Sequence, residues 1–229
     1  MGFLKKFIKT TYRDGENQTH RSSFADLSED QLEEHLAISR YGSFQLTEAI
    51  RPAFDLSVVP SAGYRHDVFP DEESYCDIPV LMAAQTRHKL FDTFLDMLDP
   101  LGFEVDVYLE SSHRQQSGQK AKERVRENID MPVLKSILCE FENLLMNDGC
   151  TGIAIVNPQA PLELQLDEHK LMIAYGQSLH EFEDILCDHG IDHREEIRFI
   201  SEAEHVHSST EEFATEFEEL CCRLGIDEF

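Results

Sequence analysis

Imidazole and thiol side chains at short spacing give this chain its most chemical-looking residues. Cys187, His189 and His193 fall within one short stretch, and His205 and His207 follow as an alternate pair. Such ligands suit zinc, and alternate residues of an extended segment share one side. Glu202 and Glu204 would complete a mixed nitrogen and oxygen set. The spacing, however, fits no established ligand pattern, and Gly190 interrupts the helix inside the first cluster. A histidine in the last turn of a helix is also favoured by the helix dipole alone. His189, His193, His205 and His207 are therefore not expected to converge, and no metal is assigned.

Nucleophilic chemistry has less to draw on. Ser111, Ser112 and His113 stand together at the end of an expected strand, where catalytic groups often sit and where ordinary turns are also rich in serine. There is no G-x-S-x-G elbow and no H-E-x-x-H helix. Gly149 and Gly152 flank Cys150 and Thr151 between a helix and a strand, the wrong order for a phosphate loop. The basic run Lys120, Lys122, Arg124 and Arg126 lacks interleaved aromatics and is diluted by Glu123 and Glu127, which predicts a polar helical face paired to the acidic body. No catalytic residue and no cofactor is assigned.

Charge narrows the choice of partner. The chain of 229 residues carries 45 Asp and Glu against 20 Lys and Arg, a formal net of −25. A field of that sign repels nucleic acid and anionic lipid unless they meet a local basic patch. The one such region at a terminus is residues 1–23, net +3, where Lys5, Lys6 and Lys9 interrupt an apolar start and allow at most weak peripheral membrane contact through residues 1–9. That start is too short and too broken for a signal peptide, and no run is long enough to span a bilayer. The six cysteines show no C-x-x-C pair and are read as reduced, buried thiols. These features predict a cytoplasmic protein.

The elements that would position any site are written in the apolar periods. Ser28 and Gln31 form a capping box for a helix, and a second short helix is expected over 43–50. Residues 52–79, punctuated by Pro52, Pro60, Pro70 and Pro79, hold no sustained period. A strand at 78–84, a helical stripe from Leu90 to Leu98 and an alternating strand at 103–110 come next. Pro132 opens an apolar helix closed by Gly149, and three strands at 152–156, 162–166 and 171–175 form a meander, the 162–166 strand with one wet face. Ser178 with Glu181, and Ser209 with Glu212, are read as capping boxes for two further helices, with a strand at 196–200 between them.

The expected fold is α+β, a mixed, largely antiparallel sheet with helices packed mainly on one face as a two-layer sandwich. The expected organisation is a flexible basic head at 1–23, a Pro-punctuated arm at 24–77 lying on the body, and a single domain at 78–229. In the 103–110 strand, Glu104, Asp106, Tyr108 and Glu110 share the wet face and form a candidate docking surface. The sequence thus predicts a non-catalytic acidic protein–protein interaction module that self-associates. The alternatives are a metal-dependent hydrolase using the C-terminal histidine cluster and an acidic client-binding chaperone-like protein.

Overall fold

The computed structural model describes residues 22–71, 76–113 and 124–226. The basic head up to residue 21, the proposed membrane contact at 1–9, and Lys120 and Lys122 of the basic run lie outside the described residues. The arm begins with helix α1 (Glu29–Leu36), whose Ser28 accepts from Gln31 N while the Gln31 side chain accepts from Ser28 N. Gly42, at φ +63, turns a tight hairpin between β1 (Arg40–Tyr41) and β2 (Phe44–Gln45). This hairpin replaces the helix expected at 43–50, because a left-handed glycine favours chain reversal over helix entry. Strand β3 (Ile50–Pro52) follows. Buried Arg51 fastens the arm, donating to the carbonyls of Leu36, Thr47 and Ile50.

A seven-stranded sheet in the order β4-β5-β10-β9-β8-β6-β7 forms the body. Its strands are β4 (Gly63–Asp71), β5 (Cys76–Ala84), β6 (Glu104–Ser111), β7 (Arg124–Asp130), β8 (Thr151–Asn157), β9 (Leu162–Leu166) and β10 (Met172–Gly176). Every neighbouring pair is antiparallel. The crossover from β5 to β6 does not make the sheet mixed, because β8, β9 and β10 come between those two strands. Among the described residues, the parallel element is a single bridge from Tyr64 to His193.

Two stretches read as irregular or helical are edge strands. β4 occupies 63–71 inside the expected arm, so the sheet starts before residue 78. Its Pro70 is tolerated because an edge strand has one unpaired side. Pro79 of β5 pairs with Val68 of β4 but lies beyond the β10 register, which ends at Val80, so its missing N–H leaves no gap in that ladder. β7 contains Arg124 and Arg126 in a strand rather than on a helical face.

Sheet parity sorts the interior into two clusters. Leu81, Val107, Ile155, Leu164 and Ala174 meet the buried residues of α2 (Arg87–Asp96), α3 (Met131–Glu140), α4 (Glu142–Asn147), α5 (His180–Asp188) and α6 (Glu211–Leu224). Ile78, Val80, Ile173 and Tyr175, of opposite parity, meet Phe44, Leu46 and Ile50 of the arm and Ile197, Phe199 and Ile200. Residues 196–199, expected as a strand, are irregular and lead into a 3-10 turn at Ile200–Glu202.

On the dry face of β6, Val105, Val107 and Leu109 are buried as expected, whereas Phe103, expected on the same face, precedes the strand and is exposed. β9 differs: Glu163 and Gln165, expected to be wet, are 1 % and 6 % exposed. They stand opposite Tyr175 and Ile173 of β10, on the face of the sheet that packs against the arm and residues 197–200. Helix starts also shift by a residue. The last helix is capped by Thr210, which accepts from Phe213 N, and α5 starts after Leu179 with no side-chain cap. Gly225, at φ +72, ends the last helix as expected. Among the described cysteines, Cys221 alone is fully buried, whereas Cys139, Cys187 and Cys222 are exposed, contrary to the expectation of buried thiols. No helix of the described residues is long and apolar enough to cross a membrane.

Candidate metal centre

The turn joining β9 to β10 is built by Asp167. Its backbone carbonyl accepts from Lys170 N and its Oδ1 accepts from Leu171 N, which leaves Oδ2 for His169 Nδ1 at 2.8 Å. Lys170 holds φ +62, a left-handed position uncommon for lysine. The turn thereby aims the His169 ring away from the sheet, with its Nε2 free of the carboxylate.

The partner residues come from β11 (His205–His207), which pairs with β3 of the arm rather than with the main sheet. Gly149 makes this approach possible. A Cβ there would stand 2.3 Å from the Ala49 carbonyl oxygen and 2.9 Å from that of Ser208. With no side chain, Gly149 N donates to Ser208 O, and Ser208 N donates to Ala49 O. Three distant segments meet at that point.

His169, His205 and His207 therefore converge. Their ring centroids form a nearly equilateral triangle with sides of 4.8, 5.0 and 4.9 Å, and one nitrogen of each lies within 4.8 Å of the others. Each Nδ1 faces an oxygen: Asp167 Oδ2 at 2.8 Å, the Ala203 carbonyl at 2.7 Å and the Gly149 carbonyl at 2.7 Å. Those acceptors assign the proton to Nδ1 and present the three Nε2 lone pairs to a shared space. Ligating histidines are typically held in this way, with the second nitrogen donating to carboxylate or carbonyl oxygen. His169 Nε2 and His205 Nε2 lie 3.2 Å apart. Two nitrogens bound to one tetrahedral zinc at about 2.0–2.1 Å stand about 3.3 Å apart, so the spacing fits. Two lone pairs at that distance repel unless a proton or a cation lies between them.

Electrostatics favour neutral ligands on the β11 side. Burial, followed by the neighbouring His169 and His205, pushes His207 down to about 4. Burial also lowers His205. For His169, burial opposes the charged form, but the Asp167 carboxylate outweighs it and raises the imidazole. Lys170, 5 % exposed, donates to the Thr151 carbonyl at 2.9 Å, and burial lowers it to about 8. His169 and Lys170 also line a narrow cleft of about 30 Å³ beside Thr47, Gln85 and Phe199. A space of about that size admits a water or two.

The other residues singled out in the sequence lie elsewhere. His189 meets Asp96 at 2.8 Å and Thr93 at 3.1 Å, and the His193 ring lies tilted against those of Tyr64 and His66. Glu202 accepts from Arg65, and Glu204 from the backbone of Ser23. Glu104 is exposed and Asp106, Tyr108 and Glu110 are half-buried on the outer parity of β6, with Asp106 accepting from Asn128 N. The structure thus brings His205 and His207 together with His169, which lies in the short joint 167–170 between two expected strands. An Asp two residues before a His in a tight turn was the available signal. Comparison with protein-family models, with curated proteins and with solved structures returns no match.

Proposed function

We propose that this protein binds a zinc-class divalent cation at His169, His205 and His207 and uses it in hydrolysis. The observation that carries the reading is that all three Nδ1 atoms are held by oxygens while the opposite edges of the rings converge. Three protein nitrogens leave a fourth position for water or substrate, the arrangement of catalytic rather than structural zinc. A cation held there supplies Lewis-acid activation of water. Asp167 orients one ligand, and Gly149 lets its own carbonyl orient another. The expected result is that zinc-loaded, desalted protein retains zinc and that His205→Ala loses one equivalent, as measured by elemental analysis. The loaded protein is expected to hydrolyse p-nitrophenyl acetate above the free-zinc rate, and the variant is not. Equal retention by both would overturn the site. Retention without turnover would overturn the hydrolytic part.

A second reading, a self-associating protein-interaction module in the cytoplasm, is supported by a different surface. Phe103, 68 % exposed, stands next to Glu104 at the start of the β6 row. A large apolar side chain beside acidic groups is a common anchor at interfaces. If this surface mediates self-association, sedimentation of Phe103→Asp is expected to show monomer at concentrations where the wild type is dimeric. A wild-type monomer throughout would exclude this reading. The free thiols among the described cysteines are in keeping with a reducing compartment.

A further inference from the structure

On the far side of the turn that holds His207, a second group of metal-ligating side chains converges. One nitrogen of His113, one carboxylate oxygen of Asp148 and the sulfur of Cys150 lie within 4.8 Å of one another. We propose that His113, Asp148 and Cys150 form a second metal site, for a zinc-class cation taking nitrogen, oxygen and sulfur ligands.

The residues come together for reasons of local structure. Asp148 ends α4, and Thr151 begins β8. Cys150 sits in the turn between them, where its carbonyl accepts from Ser112 N. That bond draws the end of β6, and with it His113, alongside the turn. Ser209 Oγ lies 3.2 Å from His113 Nδ1 and fixes the ring, leaving Nε2 toward Asp148 at 2.8 Å. The two side chains are 8 % and 0 % exposed.

The Asp148 carboxylate is the observation that points to a ligand. Its Oδ2 accepts from Thr151 Oγ1 at 2.5 Å, but its Oδ1 is buried with no hydrogen-bond partner. The His113 Nε2, which lies 2.8 Å from Oδ2, is likewise without a properly directed hydrogen bond. A fully buried carboxylate with an idle oxygen is costly, and a cation between it, an imidazole and a thiolate relieves that cost. The alternative, a Cys–His–Asp relay, needs the sulfur and the carboxylate on opposite ring nitrogens. Here Nε2 faces Asp148 and the opposite nitrogen, Nδ1, faces Ser209 rather than the sulfur, so Cys150 is not placed for a relay through His113. Mixed nitrogen, oxygen and sulfur ligands select zinc over magnesium or calcium.

This site is distinct from the histidine triad but shares a wall with it, because Gly149, between Asp148 and Cys150, supplies the carbonyl that orients His207. The probe that separates the two is cobalt(II) alone, titrated into the reduced full chain, since thiolate ligation gives a near-ultraviolet charge-transfer band that imidazole ligation does not. The wild type is expected to show that band and to bind two equivalents. Cys150→Ser is expected to lose the band and one equivalent, and His205→Ala to keep the band and lose the other. Circular dichroism of both variants checks folding, and Asp148→Asn, which keeps the shape of the side chain, is expected to weaken the band in the same way. Absence of the band from the wild type, or its persistence in Cys150→Ser, would overturn the proposal whatever the fate of the triad.

Discussion

Phe217→Ala is expected to destabilise the protein by about 3–5 kcal/mol, the range for removing a large aromatic from a filled core. Phe217 is 2 % exposed at the middle of α6 and belongs to the same apolar cluster as the inner faces of β6, β8 and β9. On its open side, the Arg124 guanidinium lies 5.0 Å over the ring, and the His113 ring is 6.2 Å away. Arg124 is tied to Glu218 by two bonds of 2.6 and 2.9 Å and does not depend on the ring for its position. It therefore cannot collapse freely into the space left by the phenyl group, and the cavity persists. Urea unfolding of wild type and variant measures the difference. An effect near zero would mean that the helix does not pack where the structure places it.

Glu163→Gln is expected to stabilise the protein at pH 8 and to leave it unchanged near pH 4. The Glu163 carboxyl stands at the second residue of β9, where Oε1 accepts from Gln165 at 2.6 Å and Oε2 has no hydrogen-bond partner. Burial raises it from 4.5 to about 7. A carboxyl raised in the folded state gives its full stabilisation below the unfolded value, where both states hold the proton. As pH rises, the unfolded chain ionises first, and stability falls until the folded carboxyl ionises as well. The window is therefore 4.5 to about 7, and the loss across it is about 3 kcal/mol. Glutamine keeps an oxygen for Gln165 and removes the titration, so the difference between variant and wild type should grow through that window and then stay flat. Parallel profiles in denaturant unfolding at the two pH values would refute this assignment.

The sequence made local features legible and hid the distant ones. The Ser28–Gln31 box, the Gly225 stop and the 162–166 strand each depend on residues within one element, so period and turn chemistry are sufficient to find them. β7 was misread because the partner of Arg124, Glu218, lies 94 residues away, and without it the basic run looks like a solvated helix. Glu163 was misread because alternation shows which residues share a face, but not whether a second layer covers that face. The alternate pair His205 and His207 was visible as a pattern. The third member, His169, is 36 residues earlier in a turn whose residues also suit a plain loop. Convergence depended on β11 leaving the main sheet to pair with β3, and nothing in the local sequence of either strand announces that pairing.

That ribbon of β3 and β11 has a mechanical consequence. It carries two of the three imidazoles on three residue pairs, whereas the third stands on a turn rooted in the middle of the seven-stranded sheet. One side of the centre is thus fixed in the sheet, and the other is held by the ribbon together with the bonds of Gly149 to Ser208 and His207. Because β3 is buried along its whole length, the ribbon is expected to open only when the arm leaves the sheet, so that separation of the three imidazoles and undocking of the arm are one event.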